Sequence, residues 1–282
     1  MPYVERKDGP TLYYELDDYT DPWKSAPTLL LQHGFGRSSQ FWYSWIPYLS
    51  RYYRVVRPDL RGLGKSSTDF DPEKGIGLAQ YLSDFNAIIN HAGCESVHYC
   101  GESFGGLLGM AFAAEYPQRV RTLSLVSAPV YLNDHDKQST AYGHESRMDA
   151  LRKMGLRAWA EASNAGRRFP PDSDPAMLQW YVDERVRAAS SIEVLVAMFN
   201  WVSGFSAVPF LPRIKAPVLG LYPSHNKIFD EEQLRALKSS LHDFRLVQIP
   251  SQYHAIQNFE PAACTSEVLH FAARYDGISC HE

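Results

Sequence analysis

The chain has little that would tie it to a metal, a membrane or a nucleic acid. Its cysteines are few, Cys94, Cys100, Cys264 and Cys280, and none has the paired spacing of a zinc or redox site. No apolar stretch reaches the roughly 18 residues of a membrane span, and the opening Met1-Pro2-Tyr3-Val4-Glu5-Arg6 has no apolar signal core. Four scattered cysteines behind such a start point to a reducing cytoplasm. The net charge of −4 and the lack of a long basic run argue against nucleic acid as a partner. Repeats and low-complexity tracts are missing as well. What remains is 282 residues, 45% hydrophobic, ample for one large core with an insertion.

Apolar runs alternate with helical patterns along most of the chain. Strands are expected at 3–6, 11–16, 28–32, 54–58, 97–100, 122–127, 217–222 and 244–249, and helices at 40–50, 78–92, 104–116, 231–241 and 261–273. Strand–helix alternation with apolar strands predicts a mostly parallel, eight-stranded α/β sheet covered by helices on both faces. The interval 131–212 breaks the rhythm: it is strand-poor and helix-like. It is expected as a helical cap between a first core segment, 1–130, and a second, 213–282.

The most specific signal is Gly101-Glu102-Ser103-Phe104-Gly105. It falls between a β-prone run, Ser96–Cys100, and the small, apolar helix pattern that follows it. A serine between glycines at a strand-to-helix turn is a nucleophile elbow: the serine adopts strained backbone angles and its neighbours must pass close to one another. A serine hydroxyl needs a nearby base during attack. Far downstream, Arg245-Leu246-Val247-Gln248-Ile249-Pro250 leads to Ser251-Gln252-Tyr253-His254, which places a histidine in the loop after the last strand.

Two further motifs lie in order between them and the start. An apolar strand runs into His33-Gly34-Phe35-Gly36, and another ends in Arg57-Pro58-Asp59-Leu60-Arg61-Gly62-Leu63-Gly64-Lys65-Ser66. With these four motifs the sequence resembles the α/β-hydrolase family from about residue 3 to about residue 273. The resemblance implies Ser103 as nucleophile and His254 as base. It also implies an oxyanion hole from the backbone N–H groups of Phe35 and Phe104. No cofactor is implied.

Two lookalikes fail. Gly34-x-Gly36-x-x-Ser39 with Asp59 imitates a dinucleotide fingerprint, but the third glycine is missing. Gly64-Lys65-Ser66 imitates the end of a phosphate loop, yet the earlier glycine it needs would stand at Asp59. Asp59, Arg61 and Gly64 are expected to fix a structural turn.

The third triad member departs from the family pattern. After the seventh strand comes Pro223-Ser224-His225-Asn226, so register puts Asn226 where the family has an aspartate. Either Asn226 fills the position or a carboxylate comes from elsewhere. Asp230 reads as a helix N-cap with Gln233 as its capping-box partner. The sixth strand offers no carboxylate before Asp134 and Asp136. Glu102, beside the nucleophile, is a further candidate modulator, but the resemblance implies that its side chain points away. Within the cap, Trp159, Trp180, Tyr181, Phe199, Trp201 and Phe205 could line an apolar or aromatic pocket or pack as core. The expected activity is cofactor-free hydrolysis of an ester or lactone through an acyl-enzyme at Ser103. Carbon–carbon bond hydrolysis, or a small-molecule receptor on the same fold, are the alternatives.

Overall fold

The computed structural model describes residues 3–164, 167–225 and 230–280. Eight strands form one sheet in the order β1-β2-β4-β3-β5-β6-β7-β8. They are β1 (Tyr3–Val4), β2 (Leu12–Asp17), β3 (Thr28–Gln32), β4 (Arg54–Asp59), β5 (Val97–Glu102), β6 (Val120–Val126), β7 (Val218–Pro223) and β8 (Phe244–Ile249). β1 and β2 join antiparallel, and every pairing from β4 to β8 is parallel. The mostly parallel, eight-stranded architecture is the one expected.

Alternation of side chains along the strands splits the core in two. Leu30, Val56, Tyr99 and Leu123 point to one face, against helices Leu78–His91 and Phe104–Glu115. Leu29, Leu31, Val55, Cys100 and Leu219 point to the other, against helix Pro261–Asp276. Both faces are covered, so β3 is buried at all five of its positions. No helix among the described residues is long and apolar enough to cross a membrane.

The expected helix at 40–50 is instead a 3₁₀ stretch, Ser39–Trp45, followed by one α turn, Ile46–Leu49. Pro47 is the reason: it has no N–H to give an i→i−4 bond, so one continuous α-helix cannot run through it.

Between β6 and β7 the chain leaves the sheet for helices Asp134–Ser139, Arg147–Met154, Leu156–Asn164, Pro175–Ala188 and Ile192–Gly204. Asn133, Ser146, Asp174 and Ser191 cap four of them, each accepting a first-turn backbone N–H. Tyr131 and Ser206 pair as an isolated bridge, so the excursion leaves and returns at one place.

Candidate active site

β5 ends at Glu102 and helix Phe104–Glu115 begins two residues later, with Ser103 alone at the turn. Its φ of 51° and ψ of −115° lie where L-residues are rarely found. The turn persists because its surroundings admit nothing larger. A Cβ on Gly105 would stand 2.5 Å from the Gln32 carbonyl oxygen and 2.6 Å from that of His33. The Ser103 N–H donates to the Val126 carbonyl at 2.9 Å, anchoring the turn to β6. Phe104 is the first helical residue, so its N–H is one of the donors that no helical carbonyl can reach.

Ser103 opens on a cavity of about 70 Å³, whose lining includes Phe35, Phe104, Trp159, Phe199 and His254. Ser103 and His254 line this cavity together, and among the described residues no direct hydrogen bond joins them. His254 sits between β8 and a short helical turn, Ile256–Phe259. It is 3% exposed, and its pKa is held well below the usual 6.5, first by burial and then by the charges of Arg168, Arg37 and Arg167. The imidazole is therefore neutral, the state a general base requires.

The loop carrying Phe35 is held by a second neutral histidine. His33 accepts the Leu60 N–H at 3.1 Å on Nε2 and meets the Gly34 carbonyl at 2.8 Å through Nδ1. Burial lowers its pKa to about 3. Asp59 braces the same region, accepting from the Ser39 N–H at 2.6 Å and the Lys65 N–H at 2.8 Å. Arg61 donates to Asp84 and to the Gly75 carbonyl. The segment is a structural turn, as expected.

One expectation is overturned. Glu102 does not point away from the site. Its carboxylate is 1% exposed, forms an ion pair with Arg37, and lies with Oε1 3.6 Å from His254 Nε2. It fits because it packs over Gly34, where any Cβ would collide with it. Asp230 is the N-cap it was expected to be, accepting from Gln233 N–H at 2.9 Å. Asp136 lines the cavity but is engaged by Arg167. Asn226 lies outside the described residues, and its neighbour His225 is exposed.

The aromatic residues of the excursion divide. Trp159 and Phe199 line the cavity. Trp180 and Tyr181 pack on Phe41, and Trp201 stacks on Phe205 with ring centroids 4.7 Å apart. Sequence reasoning missed the arginines altogether: Arg147, Arg167 and Arg168 all reach the cavity. The Arg167-Arg168 pair in a loop was the available signal, but nothing local marks a buried cation.

The sequence profile described as alpha/beta hydrolase fold matches residues 27–261. The protein named "Putative carbamate hydrolase RutD" from Azorhizobium caulinodans is 24% identical over 98% of this chain and 100% of its own. Its namesake from Agrobacterium fabrum is 30% identical, over 54% of this chain and 55% of that relative. Among solved structures, a hydrolase from Pseudomonas aeruginosa superposes with a TM-score of 0.80 at 26% identity, covering 96% of this chain and 97% of that one. The enol-lactonase from Burkholderia xenovorans gives a TM-score of 0.82 at 24% identity, covering 96% and 100%.

Proposed function

This chain belongs to the α/β-hydrolase fold family, and within it we propose a serine hydrolase that opens an ester or lactone through an acyl-enzyme at Ser103. The observation that carries the reading is the pairing of a strained, glycine-walled Ser103 with a buried, neutral His254 on one cavity. The names of the relatives, a carbamate hydrolase and an enol-lactonase, both denote attack on an acyl carbonyl and support this chemistry.

In the proposed reaction Ser103 Oγ attacks the carbonyl carbon while His254 takes its proton. The Phe35 and Phe104 N–H groups hold the oxyanion that forms on the carbonyl oxygen. His254 then protonates the leaving oxygen, and a water activated by the same ring releases the acid. The helical excursion acts as the cap that keeps bulk water out.

For the third position we propose Glu102. The nascent imidazolium lies 3.6 Å from a carboxylate that Arg37 holds in place, and that charge stabilises it as it forms. Nδ1 of His254 has no partner among the described residues and is free to take the serine proton.

A fluorophosphonate probe followed by peptide mass spectrometry tests the core of the reading. Labelling at Ser103, lost in Ser103→Ala along with all turnover of short-chain p-nitrophenyl esters, is the expected result. An unlabelled, correctly folded wild type would remove the enzyme assignment in favour of a receptor.

A further inference from the structure

The charged groups on the cavity wall do not balance. Among the described residues, Arg147, Arg167 and Arg168 line it against a single carboxylate, Asp136. Asp136 is already paired with Arg167, and deeper in, Arg37 is paired with Glu102. Arg168 is left over. Its Nε and Nη1 are fully buried and have no hydrogen-bond partner among the described residues. Arg147 is left over too: it stacks 4.6 Å from the Phe199 ring and spends one N–H on Ser203 Oγ at 3.0 Å.

Behind the aromatic wall the same excess continues. Arg185, 1% exposed, lies 4.7 Å from the Trp159 ring, donates to Ser163, and among the described residues leaves Nε and Nη2 without a hydrogen-bond partner. Buried, uncompensated guanidinium groups are costly unless an anion meets them. No described carboxylate of the protein does so. The position of Arg168 is fixed relative to the chemistry, because the backbone of Arg167-Arg168 is stitched to the histidine loop. His254 N–H donates to the Arg167 carbonyl and Ala255 N–H to that of Arg168, each at 3.1 Å.

We propose that Arg168, with Arg147 beside it, binds a carboxylate of the substrate. The preferred substrate is then an ester or lactone carrying a second, ionised carboxyl group that remains intact through the reaction. A guanidinium fork matches a carboxylate in two parallel hydrogen bonds, and such charge-assisted bonds are strong where the guanidinium nitrogens are buried, as Arg168 Nε and Nη1 are. The assignment rests on the hydrolase reading for the reaction, but the anion site itself is a matter of binding.

The test therefore uses Ser103→Ala protein, in which no ester is consumed, titrated calorimetrically. The probes are the monomethyl esters of succinate, glutarate and adipate, their neutral dimethyl counterparts, and inorganic phosphate. At least one monoester should bind roughly tenfold to a hundredfold more tightly than its diester, as one or two charge-assisted hydrogen bonds imply. Arg168→Gln in the same background should abolish the difference, and Arg147→Gln, on helix Arg147–Met154 away from the Arg168 turn, should reduce it. The second variant keeps the question open to test where the first fails to fold.

Equal affinity for monoester and diester, no binding of either, or a preference that survives both substitutions overturns the proposal. Phosphate binding without discrimination among the esters overturns the carboxylate assignment in favour of a phosphorylated ligand. Fluorophosphonate labelling of the wild-type Ser103 is scored separately, so failure of the anion site and failure of the hydrolase reading give different results.

Discussion

At the scale of single residues the site depends on charges that water does not screen. His254 stays neutral because burial and three arginines oppose its protonation. The acid limb of kcat/KM should consequently fall well below the ordinary histidine value of about 6.5. A limb centred at or above that value, in a profile taken from pH 4 to 9, would count against His254 as the base. Glu102→Gln should lower kcat by roughly 10²- to 10⁴-fold, since an amide cannot stabilise the imidazolium. The same change leaves Arg37 buried and unpaired, a cost of about 3–5 kcal/mol that denaturant unfolding would read. Asn226→Asp separates the two candidates for the third position: unchanged kcat supports Glu102, and a raised kcat gives the role to Asn226. The turn at Ser103 and the place of His254 in the loop after the last strand were legible in the sequence, because an elbow is a local backbone pattern and the histidine follows a fixed order of elements. The direction of Glu102 was not, because it is decided across the sheet by Gly34 and Arg37. Arginine burial was equally hidden, being set by what the helices of the excursion enclose.

Elements decide whether those residues can meet. The elbow works only while helix Phe104–Glu115 stays close to the end of β3, and Gly105 is the point of contact. Gly105→Ala should push the helix off two carbonyl oxygens. We expect a stability loss of about 1–3 kcal/mol, the usual range for overpacking. Ester turnover should fall disproportionately, because Ser103 moves with the helix start. A variant with wild-type kcat and melting temperature would show that the turn has room to spare. The inner strands were legible from apolar runs, since a doubly buried strand has few polar residues to disguise it. Boundaries drifted where strands end in chemistry: β5 runs on to Glu102, two residues past the expected Cys100, because the elbow itself completes its pairing with β6. The 3₁₀ start at Ser39 shows the reverse failure, a helical pattern overruled by one proline.

For the whole molecule, the arrangement that suits catalysis makes the fold sensitive to acid. His33 and His254 are both buried and neutral, the first with its pKa lowered to about 3. In the unfolded chain each would titrate near 6.5. Below that pH the unfolded state therefore binds more protons than the folded one, and stability must fall as pH falls. The loss begins near pH 6.5 and continues for His33 down to about 3. Each histidine contributes a slope of about 1.4 kcal/mol per pH unit once the unfolded form is fully protonated. The window from pH 6.5 to 5 is the informative one, because most carboxylates have not yet begun to titrate there. Urea unfolding at pH 7.5, 6.5, 5.5 and 5.0 should show stability flat at first and then declining. His33→Asn, whose amide can still accept the Leu60 N–H, should flatten the decline by about half. Stability that holds constant to pH 5 would mean that one or both rings gain a proton, or a partner for it, without unfolding.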